Sequence, residues 1–99
     1  MHSTPEGLVK KQVKIIFKRY NVWHFMYVPH GYGLAGIPDF IGCINGKFIA
    51  VETKARDDQQ PTALQKMQGE RIKNAGGVAF VATPGNLEKL EAIVKEMMG

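Results

Sequence analysis

Two acids and a lysine, Asp39, Glu52 and Lys54, are spaced so that one tight turn brings them together. Asn45-Gly46 lies between two apolar, β-branched stretches and is the strongest short signal for a two-residue hairpin, because both turn positions require positive φ. Such a turn pairs Ile44 with Lys47, Cys43 with Phe48, Gly42 with Ile49, Ile41 with Ala50 and Phe40 with Val51. The next pair outward is Asp39 with Glu52, two acids on one face with Cβ atoms roughly 4.5–5.5 Å apart. Lys54, two residues beyond Glu52, points to the same face. Like charges set opposite each other destabilise a sheet, and both acids adjoin apolar strand interiors, so a positive charge must compensate. Two arrangements supply it. Lys54 pairing with Glu52 across the pleat makes a solvated strand end, whereas a hard divalent cation with oxygen ligands, as Mg²⁺ is held by one or two carboxylates plus water and phosphate, makes a metal site. A β-bulge would shift the register by one residue and undo the pairing.

The elements that must position these residues follow from periodicity. Ser3-Thr4-Pro5-Glu6 is a helix start, and Val9, Val13, Ile16, Phe17 and Tyr20 fall within about 100° of one another on a helix over residues 3–20. Lys10, Lys11, Lys14 and Lys18 take the opposite, outer face. Glu6 falls on the inward stripe, where it either faces the site or closes a capping box begun by Ser3. Residues 22–28 read as a strand, 29–36 as a glycine-rich loop, and 40–44 and 48–53 as the hairpin strands. Residues 61–75 form a second helix closed by Gly76-Gly77, with Thr62-x-x-Gln65 as a capping box. Residues 78–82 make a short strand, and Asn86 caps a last helix ending at Met98. The order αβββαβα predicts an α/β chain (α+β by some schemes) with a mixed four-stranded sheet, its fourth strand parallel to the third through a right-handed crossover.

Ninety-nine residues, without repeats or linkers, predict a single domain over 1–99. Apolar residues at 44% and charged residues at 22% exclude a disordered chain. A net charge of +4 leans toward an anionic partner, although the lysine faces read equally as solvated surface. No run is long and apolar enough to cross a membrane and no cleavable leader is visible, while the lone Cys43 points to a reducing, cytoplasmic setting. Gly31-Tyr32-Gly33-Leu34-Ala35-Gly36 matches GxGxxG, but a proline and a strand follow it, so a dinucleotide fold is excluded. His2, His24 and His30 lack zinc-ligand spacing. Trp23, Phe25 and Tyr27 on a nearly two-faced apolar strand, with Met97-Met98, indicate an extra buried surface, either helix cover or a homodimer interface; the marginal core of so small a domain favours the dimer.

Ile37-Pro38-Asp39 followed twelve residues later by Glu52-Thr53-Lys54 resembles the PD-(D/E)XK nuclease signature. With Gly36-Ile37-Pro38-Asp39-Phe40-Ile41-Gly42, Ala50-Val51-Glu52-Thr53-Lys54, Thr62-Ala63-Leu64-Gln65-Lys66 and Ala75-Gly76-Gly77-Val78-Ala79, the chain resembles the VRR-Nuc branch over essentially its whole length. The resemblance implies a restriction-endonuclease-like αβββαβ core. It implies Mg²⁺ or Mn²⁺ held by Asp39, Glu52 and the Thr53 carbonyl, with Glu6 on the first helix near the metal. Lys54 would position or polarise the attacking water, and Gln65 would pack beside it, with Gln68 as substitute were the helix rotated. Minimal members of this branch, phage ones included, resemble homodimeric endonucleases acting on branched DNA such as four-way (Holliday) junctions, in debranching and repair. A less selective flap or single-strand nuclease and a catalytically silent DNA-binding module are the alternatives.

Overall fold

The computed structural model describes residues 4–99; Ser3 and His2, named above as a cap and as a histidine without zinc spacing, lie outside the described residues. The elements run α1 (Pro5–Arg19), β1 (Trp23–Met26), β2 (Phe40–Ile44), β3 (Lys47–Thr53), α2 (Ala63–Asn74), β4 (Val78–Ala82) and α3 (Leu87–Met98). Asn45 and Gly46 take φ of 52° and 79°, the left-handed pair that a two-residue hairpin needs. The β2–β3 register is the expected one, from Ile44↔Lys47 out to Phe40↔Val51. The sheet order is β1-β2-β3-β4, with β4 parallel to β3 and the other pairs antiparallel.

Two of the helix starts differ from expectation. Thr4 caps α1: its side chain accepts the Gly7 N–H at 3.0 Å, and Pro5 fills the first helical position. Glu6 is therefore one place short of the third helical position, and no capping box occupies it. Asn86 flanks α3 without a side-chain cap bond; its amide instead bridges the Val81 carbonyl (2.7 Å) and the Thr83 N–H (2.8 Å), pinning the β4–α3 turn. At α2 both halves of the Thr62–Gln65 capping box are present. The end of α2 is closed by Gly76 at φ 95°, which lets the Gly77 N–H return to the Ile72 carbonyl at 2.9 Å.

Residues paired across a ladder share a face. Phe40, Ile44, Ile49 and Val51 thus share one face, and α1 and α3 cover it with Val9, Val13, Ile16, Phe17, Leu90, Val94 and Met97 to form the core. Glu91 of α3 ties the two helices together by accepting from Tyr20 and, at 2.8 Å, from Arg19. Trp23, Phe25, Ile41, Cys43, Phe48 and Ala50 share the other face. There α2 packs against β4 and none of its residues is fully buried. Gly69 interrupts the middle of α2, a choice that costs about 1 kcal/mol of helix propensity relative to alanine.

Candidate active site

The hairpin ladder ends at Phe40↔Val51, and Asp39 lies one residue beyond it. Two bonds hold Asp39 there. Its carbonyl accepts the Tyr27 N–H at 2.8 Å, carrying the β1–β2 pairing one step further. Its carboxylate Oδ2 accepts both the Thr53 N–H (2.9 Å) and the Thr53 hydroxyl (2.6 Å). The carboxylate is thereby drawn along β3 to the residue after Glu52, rather than facing Glu52 squarely across the ladder.

Glu52 and Lys54 are each only 7% exposed, and Thr53 between them is fully buried. Lys54 Nζ stands 3.6 Å from Glu52 Oε2, and the Gln65 side-chain amide donates to the same oxygen at 2.9 Å. Gln65 does two jobs at once. Its Oε1 accepts the Thr62 N–H at 2.9 Å as half of the capping box, which turns its Nε2 toward Glu52. The other Glu52 oxygen, Oε1, is buried without a hydrogen-bond partner. Burial, then the neighbouring Asp39 charge, pushes the Glu52 carboxyl up to about 7, against the pull of Lys54. Lys54 and Gln65 thus serve one oxygen of this buried carboxylate and leave the other without a partner.

The loop before Asp39 and the start of α2 meet over this point. A Cβ on Gly36 would stand 2.6 Å from the Leu64 carbonyl, and Gly36 itself has φ 78°, so only glycine fits where the loop passes the first turn of α2. Gln68 donates to the Ala35 carbonyl at 3.2 Å, fastening the loop to α2 instead of reaching the acids. Between loop and helix lies a cavity of about 230 Å³, lined by Tyr27, Leu34, Gly36, Asp39, Glu52 and Gln65 among others. Beyond Lys54 the chain is anchored as well: Asp57 accepts from the Thr83 hydroxyl and the Gly85 N–H, both at 2.7 Å, and these bonds hold its carboxyl below the usual range.

The structure thus brings together Asp39, Glu52, Thr53, Lys54 and Gln65. The charge of Glu6 also reaches Glu52, although its carboxylate bonds to Lys10 rather than to these groups. Glu6 is half-exposed and paired with Lys10 at 3.0 Å, and among the described residues no three acid, histidine or cysteine side chains converge as a metal site. Lys10 differs from its expected place on the outer face. Partial burial opposes its charge, but the Glu6 contact and the fields of Asp39 and Glu52 outweigh it and raise the ammonium above its ordinary value. Sequence reasoning left this lysine among the outer ones, open between solvent and an anionic partner, because a helical angle gives direction but not what stands opposite. It also missed the Thr53 hydroxyl, for threonine at a strand end carries no signal beyond β-propensity.

The donor set tests for a metal. Asp39 and Glu52 offer only oxygens, one of them buried and unpaired, which suits a hard divalent cation completed by water and phosphate rather than a soft one. One or two carboxylates are the usual protein share for Mg²⁺.

The topology matches known architecture. Over 94% of this chain and 97% of the other, the fold superposes with TM-score 0.76 and 24% identity on a solved structure described as a VRR_NUC domain. A second, described as a VRR_NUC domain protein, matches 99% of this chain and 91% of its own at TM-score 0.67 and 14% identity. No family model and no curated protein matches the chain. The likeness establishes an α+β fold. More particularly, the chain has the fold of VRR_NUC domains across nearly its full length.

Proposed function

We propose that the protein is a divalent-metal-dependent DNA endonuclease, with Mg²⁺ or Mn²⁺ held by Asp39 and Glu52 and assisted by the Thr53 carbonyl. The observation that carries this reading is the buried, unpaired Glu52 Oε1 beside Asp39 and Lys54. When bound there, a divalent ion would lower the pKa of water and neutralise charge on the phosphate.

The remaining work falls to the chain's own groups. Thr53 holds the Asp39 carboxylate with two donors, so its other oxygen is oriented without a search over rotamers. Gln65 fixes Glu52 from the α2 side. Lys54, buried just past the end of β3 and anchored through its N–H to the Ala82 carbonyl at 2.9 Å, presents an ammonium to the attacking water and to the charge that develops on the phosphorane oxygens. Lys10, next to Glu6, adds a second positive charge near the acids and can take a phosphate oxygen. In this reading Glu6 holds Lys10 and adds its negative charge to the field at Glu52.

The substrate in this reading is branched DNA, four-way junctions included, and the enzyme is a homodimer, since paired nicks need two sites at fixed separation. Support for a dimer comes from the sheet face that α2 leaves bare: Trp23 is 65% exposed and stacks edge-to-face on Phe25, with Phe48 and Cys43 beside it. No helix among the described residues is long and apolar enough to cross a membrane. Cleavage of a synthetic four-way junction, a flap and a linear duplex with and without Mg²⁺ or Mn²⁺ tests the reading. Wild type is expected to nick the junction symmetrically and to sediment as a dimer, Asp39→Ala to bind DNA without cutting, and Trp23→Glu to sediment as a monomer. Binding without cleavage by wild type in either metal would leave the silent DNA-binding module in its place.

A further inference from the structure

The two edges of the sheet are finished differently. At the β4 edge the Lys54 N–H donates to the Ala82 carbonyl, so Ala82 faces β3 and Val81 faces outward. The Asn86 amide takes that outward carbonyl at 2.7 Å. The β1 edge has no such stop. The Tyr27 N–H donates to the Asp39 carbonyl, and backbone groups alternate along a strand. Trp23, Phe25 and Tyr27 therefore turn theirs to β2, while His24 and Met26 turn theirs outward. Among the described residues no hydrogen bond reaches the backbone N–H or C=O of His24 or Met26. The next outward carbonyl, that of Val22, is taken by the His24 ring at 2.8 Å. Proteins close a free edge with lysine, proline, a bulge or a covering segment. The strand Trp23-His24-Phe25-Met26 carries no lysine, proline or bulge, and the helices rest mainly on β2, β3 and β4. No Lys, Arg, Asp or Glu occurs between Arg19 and Asp39, so two copies of a chain of net charge +4 can meet here without like charges at the joint.

We propose that β1 pairs antiparallel with β1 of a second copy, the two-fold axis passing at Phe25, so that two four-stranded sheets become one. Around that axis His24 and the partner's Met26 exchange both backbone bonds, and Met26 and the partner's His24 do the same. On the α2 side Phe25 then meets the partner's Phe25, and Trp23 meets the partner's Tyr27, so aromatic faces aromatic along the whole joint. Trp23 and Phe25 are already stacked edge-to-face at 5.6 Å, which orders them for this contact. Aromatic side chains carry about 150–250 Å² each, so Trp23 at 65% and Phe25 at 46% exposure leave on the order of 250 Å² open per copy. A specific interface takes roughly 600–1,000 Å² per partner. The aromatic patch alone falls short of that, and the strand edge beside it supplies the remaining contact and the hydrogen bonds. This inference rests on the dimer proposed above and deepens it by naming the surface that joins the copies. It also sets the sites: with strands about 4.8 Å apart and about 3.4 Å per residue, the two Asp39 backbones stand about 20 Å from each other. A continuous sheet holds that separation fixed, as paired nicks require.

The test places single cysteines in a Cys43→Ser background and oxidises them with copper phenanthroline. Phe25→Cys is expected to form a disulfide dimer, because opposite residues of a non-hydrogen-bonded antiparallel pair have Cα atoms about 4.5 Å apart, within disulfide reach. Phe48→Cys, on the same face but two strands further in, is expected to stay monomeric on a denaturing gel. Met26→Pro removes an outward N–H that β2 does not use, so far-UV circular dichroism is expected to show the fold retained. Sedimentation of Met26→Pro is expected to show dimerisation at least tenfold weaker than in wild type. A Met26→Pro chain that dimerises like wild type overturns the edge. So does a wild-type dimer in which Phe48→Cys crosslinks and Phe25→Cys does not; the copies then meet through their faces, and the dimer reading survives. A wild type that sediments as a monomer, with no Phe25→Cys crosslink, ends both. Should Met26→Pro fail to fold, the pair of crosslinks decides. Cleavage with Mg²⁺ is scored separately, so the nuclease reading stands or falls on its own.

Discussion

The two faces of the sheet are built to different standards. Against one, α1 and α3 seal Val13, Phe17, Leu90 and Val94 completely from solvent. Against the other, α2 carries no fully buried residue, rests on β4 through small side chains, and leaves Trp23, Phe25 and Phe48 bare. Yet the helix side chains that hold Glu52 and the loop before Asp39 come from the loose side, Gln65 for the acid and Gln68 for the loop. Close packing holds the strands in register, and the loosely packed helix leaves room for a ligand at their ends. Hydrogen bonds, not apolar contact, then fix the helix where it matters.

This contrast breaks if the faces contribute equally to stability. Leu90→Ala is expected to cost about 2–5 kcal/mol, the range for a buried leucine that leaves a cavity. Met67→Ala, on an α2 side chain that is 43% exposed, is expected to stay within about 0.5 kcal/mol. Urea denaturation midpoints compare them directly; similar losses would show that α2 shares the core's burden.

A second comparison separates the two roles of Gln65. Gln65→Ala removes both the cap and the Glu52 contact, and is expected to lower metal-dependent cleavage by roughly 10–100-fold, as for other residues that orient a metal ligand. Thr62→Ala removes the Thr62 side-chain half of the capping box but leaves the Gln65 amide in place, so it is expected to cost about 1 kcal/mol of stability and little cleavage. Equal cleavage by the two variants would reduce Gln65 to a capping residue.

The smallest effect concerns pH. Because the folded Glu52 carboxyl titrates near 7 rather than 4.5, the folded chain holds this proton more tightly than the unfolded chain does. Stability in metal-free buffer is therefore expected to be highest below pH 4.5 as far as this group is concerned, and to decline as pH rises from about 4.5 to 7. Glu52→Gln should flatten that decline in a melting-temperature series, and Mg²⁺ should raise the wild-type melting point most above pH 7. A wild-type profile with the same slope as Glu52→Gln would remove the charge deficit on which the metal reading depends.

What the sequence by itself determined were the local facts: the Asn45-Gly46 hairpin and its register, the apolar stripe of α1, the Thr62–Gln65 box and the parallel return of β4. Each depends on neighbours within a few residues, on a side-chain period, or on a crossover too short to go elsewhere, so residue type suffices. Tertiary structure alone decided where the long-range polar partners stand. Asp39 bonds to Thr53 fourteen residues away, Gln65 donates an amide to Glu52, and Lys10 enters the field of acids on another element. Periodicity reports the direction of a side chain but not the distance between elements. That distance follows from how the helices pack, and at α2 from a glycine facing an alanine.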